Sequence, residues 1–375
     1  AEPRFSWHVL SRLPRDLYDR LVLAGLAVPN PSPKQRERLI WLRDSVVERD
    51  DLATVESWLE SLLPELEQRP VARATSNALA DLAHRHPALR ARIIPTLLDA
   101  GPALPGLDGQ HPSDLDMPLV HCLARFGGTR ARPLLARAVG TLTVEGLRSF
   151  WWSLNGWTVQ DVFRSLHSKK LGPPVPSASA LVAAINGLYV FDPPLDGHEW
   201  TYPDTAIDAL EAFGLAYVFD MEADAPTHYD TLIASIVDEL NECPLRLAAH
   251  HRHFGYEYRQ IRGQVGLSYH EQPTSDVALS AEGCTVRISI EGSSDWAAMG
   301  ALMATLNALP EHLGWSERFV RVMGDGQAAS IMFGDTEALN EVLDQFWLHP
   351  HTYDRRDWWE ARRAELRAAL LADAA

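Results

Sequence analysis

The chain of 375 residues is 46% hydrophobic and 22% charged, with 50 acidic against 34 basic residues and a net charge of −16. That length exceeds one ordinary core, so two or three domains are expected, and the composition excludes a disordered chain. The negative field disfavours general nucleic-acid binding and adhesion to an anionic membrane.

The apolar residues recur at helical spacing almost throughout from residue 13 to residue 212. Residues 35–49 place Leu39, Leu42, Val46 and Val47 on one stripe, and residues 51–66 do the same with Leu52, Val55, Trp58, Leu59, Leu62 and Leu63. Pro70, Pro87, Pro105 and Pro112 punctuate the helical segments where a missing N–H does least damage. Residues 79–98 and 119–138 align at an offset of 40, with Leu79 on Leu119, Leu82 on Cys122 and Arg90-Ala91-Arg92 on Arg130-Ala131-Arg132. Two short helices per unit at that period resemble HEAT-type helical repeats over about 70–142. An irregular helical bundle is the alternative.

Phe150, Trp151, Trp152 and Trp157 cluster in the next segment, as a buried seam or as an aromatic patch for a partner. The Pro-rich stretch 171–177 reads as a linker, but helical spacing continues past it to the acidic loop 191–204. Beyond residue 213 the period changes. Residues 214–222, 245–253, 256–270 and 284–292 read as strands, with an amphipathic helix over 227–241. Ser293, Ser294 and Asp295 supply an N-cap for a helix bearing Trp296, Met299, Met303, Leu306 and Leu309. Asp325-Gly326 predicts a two-residue hairpin turn between strands in 319–335, and Asp335 or Thr336 caps a helix through Trp347. A basic helix over 354–372 closes the chain.

The expected fold is therefore α+β. An all-helical, solenoid-like or bundle domain over 1–212 precedes an α+β sandwich over 213–350, and 351–375 form a closing helix. The sandwich is built of β-α-β-β and β-α-β-β-α units, with a mainly antiparallel sheet and helices on one face.

Three cysteines (Cys122, Cys243 and Cys284) without a CxxC argue against a disulfide framework or zinc cluster and fit a reducing compartment. Arg4, Arg12, Arg15 and Arg20 interrupt any apolar leader core, and no run reaches the roughly 18 apolar residues that span a bilayer. A cytoplasmic protein is expected.

Phosphate-loop, dinucleotide-binding, nucleophile-elbow and HExxH motifs are missing; His198-Glu199 begins the last, but Tyr202 takes the second ligand's place. No cofactor and no metal are therefore expected. Two constellations carry what chemistry there is. His250, His251 and His253, with Arg246, Arg252, Arg259 and Arg262, make a basic stretch that suits an anion or an acidic partner, with Tyr256 and Tyr258 as stacking groups. Asp196, His198 and Glu199 in the junction loop, and Asp220, Glu222 and Asp224 after the first strand, are candidate acids and bases.

The resulting expectation is a non-catalytic protein-interaction protein, of the bacterial immunity (toxin-neutralising) or adaptor kind, with a basic protein as partner. The alternatives are a hydrolase whose site between the halves uses His250, His251 or His253 with Asp220, Glu222 and Asp224, and a nucleic-acid-linked module using the basic strand.

Overall fold

The structure is a computed structural model that describes residues 32, 33, 36, 37, 40, 52–67, 71–104 (with 107), 117–188, 203–220, 229–242, 255–262, 274–291, 299–323, 328–350 and 355–372. Contacts divide the chain into two compact units: Ala1–Asn155 together with Asp357–Ala375, and Gly156–Arg356. The change from helical to strand spacing near residue 213 falls inside the second unit.

In the first unit, the apolar stripes become α1 (Leu52–Leu62), α2 (Ala72–Arg85), α3 (Arg90–Ala100), α4 (Met117–Phe126), α5 (Gly128–Val139) and α6 (Val144–Asn155). The two similar stretches are two helix pairs, α2/α3 and α4/α5. Helices α2, α4 and α6 pack in succession, while α3 lies on α2 and α5 on α4. The offset of 40 holds for the first helix of each pair, where Leu79, Leu82, Leu119 and Cys122 are all fully buried. It does not hold for the second. Pro95 and Pro133 sit inside α3 and α5 at matching depth, 38 residues apart, so Arg92 corresponds to Arg130 rather than to Arg132. The cause is a shorter turn. Residues 86–89 join α2 to α3, whereas α4 reaches α5 through Gly127 alone.

That turn demands glycine. A Cβ on Gly127 would lie 2.6 Å from the Leu123 carbonyl oxygen, and Gly128 has a φ of +59° in the left-handed region. The pairs are also joined by a buried polar contact, in which the Leu119 N–H donates to Asn77 Oδ1 at 3.3 Å. Leu119 is in the first turn of α4, where backbone N–H groups have no partner within their own helix.

The second unit begins with α7 (Val159–Ser168), α8 (Ala178–Leu188) and α9 (Pro203–Ala212). It continues as β1 (Tyr217–Asp220), α10 (Tyr229–Glu242), β2 (Gly255–Arg262), β3 (Thr274–Ala281), β4 (Cys284–Glu291), α11 (Met299–His312), β5 (Glu317–Val322), β6 (Ala328–Asp335) and α12 (Thr336–Phe346). The strands form two antiparallel three-stranded sheets, ordered β2-β3-β4 and β1-β6-β5. The chain is thus an α+β protein, with a helical N-terminal region and small antiparallel sheets toward the C-terminus.

Each half of this strand region is a β-α-β-β run: β1-α10-β2-β3 and β4-α11-β5-β6. Each sheet takes the hairpin of one run and the first strand of the other, since β4 pairs with β3 and β1 pairs with β6. The two runs thus exchange their leading strands. One core serves both sheets: Leu232, Ile233, Ile236 and Val237 of α10 and Leu302, Leu306 and Leu309 of α11 meet Phe219, Val277, Leu279, Phe319, Ala329 and Ile331 from the strands.

Three details differ from the sequence expectation. Strand β3 was not anticipated, because TSDVALSA mixes polar and small residues; it becomes a strand by pairing on both sides. Its link to β4 is the two-residue turn Glu282-Gly283, with φ of 52° and 78°, as a hairpin requires. Between β5 and β6 the register sets Val322 opposite Ser330, whereas a two-residue turn at Asp325-Gly326 in an uninterrupted ladder would set it opposite Ala329. The turn itself lies outside the described residues, as do the strand expected over 245–253 and the cap at Ser293–Asp295.

Helix α12 packs on β5 and β6 and covers the face that β6 turns away from α10 and α11. Gly334 permits this approach, because a Cβ there would stand 2.9 Å from Leu171 Cδ2 and 3.4 Å from Leu339 Cδ1. The last helix, α13 (Arg356–Ala372), returns to the first unit. Arg363 Nη1 donates to the Val139 and Leu142 carbonyls at 2.8 Å each, and the buried Arg148 guanidinium of α6 lies 5.2 Å from the Trp359 ring.

Candidate interaction surface

The exposed faces of α1, α3 and α5 follow one pattern. On α1 the exposed charged side chains are Glu56 and Glu60. On α3 they are Arg92 and Asp99, on either side of the exposed Pro95 and about two turns apart. On α5 they are Arg130 and Arg137, flanking the exposed Pro133, with Arg132 half-buried and no acidic residue anywhere in the helix. The charge runs from acidic through mixed to basic along the helical layer.

Ion pairs connect these faces in order. Glu60 of α1 pairs with Arg92 of α3, and Asp99 of α3 pairs with Arg130 of α5 at 2.7 Å. Each is an exposed bridge worth roughly 0.2–1 kcal/mol, so it sets helix order more than stability. The next rung breaks the pattern. At the depth in α5 where α3 carries Asp99 stands the exposed Arg137. Helices α2, α3, α4 and α5 together hold eight arginines and two aspartates, within a chain whose net charge is −16.

Several arginines of this region also serve the fold. Arg90 Nε donates to the Ala83 carbonyl at 2.7 Å and Nη2 to the His84 carbonyl at 3.2 Å, closing the end of α2. Its guanidinium stands 4.1 Å over the Phe126 ring, with that of the exposed Arg125 at 5.6 Å. Burial, and then the charge of Arg125, lower its pKa from the ordinary value. The neighbouring Cys122 thiol is fully buried, and burial together with Asp81 pushes its pKa far up. Cys122 is therefore an inert core thiol rather than a nucleophile.

His250, His251, His253, Arg246, Arg252, Glu222, Asp224, Asp196, His198 and Glu199 lie outside the described residues. Asp220 ends β1 opposite Ala328. Tyr256, Tyr258, Arg259 and Arg262 lie on β2, paired with Leu279, Val277, Asp276 and Thr274 of β3, with a register shift between Gln260 and Arg262. Trp152 is corrected as a partner-binding residue. It is fully buried, like Phe150, and belongs to the core of the first unit, while Trp151 is half-buried.

The sequence reading missed the ladder on α1, α3 and α5. Its signal was present as Glu60, Arg92, Asp99, Arg130 and Arg137 at matching helical depths, but the uniform offset of 40 obscured it. A second feature missed is the buried His349, whose Nε2 lies 2.7 Å from Asp344 Oδ1. It secures the chain after α12, where Trp347 takes a left-handed φ of 53° and the Met323 N–H donates to the Leu348 carbonyl at 2.9 Å.

No helix among the described residues is long and apolar enough to cross a membrane. No family model, no curated protein and no solved structure matches the chain.

Proposed function

We propose that this chain is a non-catalytic protein-interaction protein of the adaptor or immunity kind, acting in a reducing cytoplasmic compartment. The observation that supports this reading is the ordered charge on the exposed faces of α1, α3 and α5, within a helical layer of stacked pairs. Stacked helix pairs offer a broad, rigid surface, and ordered charge fixes register and speeds encounter more than it adds affinity. The acidic excess elsewhere in the chain fits a basic protein as the main partner.

The test uses the full chain immobilised at low salt and challenged with soluble protein from its own cells. Retention of a basic protein that, once purified, rebinds stoichiometrically and releases as salt rises supports the reading. A chain that retains nothing rejects it.

A further inference from the structure

The interaction reading leaves open what meets the basic end of the helical layer, and α5 itself narrows the answer. Its exposed charges are Arg130 and Arg137 on one stripe, seven positions and hence about 10 Å apart along the helix axis. Arg130 already holds Asp99, as Arg92 holds Glu60. In both pairs an acid on one helix answers an arginine on the next. Arg137 stands where the following rung would need an acid, and no acidic residue of α5 competes for it.

We propose that the exposed face of α5 docks an acidic helix of a partner protein, which lies alongside it as the next rung of the ladder. The proposal rests on reading the helical layer as an interaction scaffold. A helix at the ordinary packing distance of about 8–10 Å brings glutamates seven positions apart within reach of Arg137 and Arg130. Guanidinium suits this role, since its planar fork takes a carboxylate through two parallel hydrogen bonds. Charge complementarity selects the occupant. A nucleic acid carries a dense line of phosphates that the net −16 of the chain repels over its whole length, whereas a short helix with two or three carboxylates meets only the local field. A second copy would bring the same net −16 with it.

The experiment measures fluorescence anisotropy of a labelled alanine-based helical peptide with glutamates at i and i+7, added to the full chain at low salt. Parallel titrations use the same peptide with lysines and a single-stranded DNA oligonucleotide, and sedimentation of the chain reports self-association. The glutamate peptide is expected to bind, and Arg137→Glu is expected to weaken it about tenfold, the scale of one charge-assisted contact. Arg137 makes no ladder bridge, so this variant is expected to keep the wild-type melting temperature; Arg130→Glu, which also breaks the Asp99 bridge, is compared by its melt. Failure of the glutamate peptide to bind, equal binding of the lysine peptide, tighter binding of DNA, or indifference to Arg137→Glu each overturns the proposal. Self-association lost in Arg137→Glu overturns it in favour of a second copy. If the chain retains a cellular partner whose binding ignores Arg137→Glu, the docking face is wrong while the interaction reading stands.

Discussion

Asp335 ends β6 and begins α12, and its carboxylate performs one definable task. Oδ1 accepts from the Ala338 N–H at 3.0 Å, satisfying a donor that the first helical turn leaves open. That bond, followed by one from the Ser316 side chain, holds the Asp335 pKa below the ordinary carboxylate value. A depressed folded-state pKa stabilises above the unfolded value of about 3.9 and loses that contribution as pH falls through it toward the folded value. Asp335→Ala is therefore expected to cost about 1 kcal/mol at neutral pH in urea denaturation. Asp335→Asn keeps an acceptor, so it should cost less and remove this group's share of the acid sensitivity between pH 5 and pH 3, about the range of carboxylate titration. Equal acid sensitivity in wild type and Asp335→Asn would show that the cap does not titrate. The cap was legible in the sequence, because an Asp before an amphipathic run needs only local chemistry to act.

Helices were the most legible elements, since the 3.6-residue period of an apolar stripe survives whatever packs against it. Their partners were less so. Trp151 and Trp152 are adjacent in sequence yet half-buried and fully buried, a difference made by neighbours rather than by residue type. The same holds for α13, which reads only as a basic closing helix. In the fold it anchors to the first unit through Trp359, 1% exposed beneath Arg148, and through Arg363 on two carbonyls of the α5–α6 turn. Trp359→Ala is expected to destabilise the first unit by about 3–5 kcal/mol, as for a large aromatic removed from a packed core. Guanidinium denaturation with limited proteolysis of α13 checks this. A variant that melts like wild type with α13 still protected would mean that the helix is not part of that core. Strand β3 was hard to read for the opposite reason: its alternation rests only on Val277, Leu279 and Ala281 among small and polar residues, and pairing on both edges makes it a strand.

At the scale of the whole molecule, the exchange of leading strands binds the two β-α-β-β runs into one folding unit. β1 has its only described strand partner in β6, and β4 completes the sheet begun by the first run. A chain truncated after Ala281 keeps the first run intact in sequence but removes β4, β6 and α11. It is expected to show no slowly exchanging strand amides in β1, β2 and β3, measured by hydrogen exchange against the full chain. Slow exchange persisting in the β2-β3 hairpin would show that a run folds alone.

What the sequence determined by itself follows from local physics: two regions of different period, the helices, and the Asp335 cap. Each depends only on residues within a few turns or strands of one another. Tertiary structure decided the rest. The 38-residue match of α3 with α5 depends on a turn shortened at Gly127. The exchange of β1 and β4 depends on hydrogen bonds between segments about a hundred residues apart or joined by one turn, which no period encodes. The arginine face of α5 has the same origin. Its residues are ordinary surface arginines in sequence, and only stacking beside α3 makes Asp99 the partner of one and leaves the position of Arg137 without an acid in the helix that bears it.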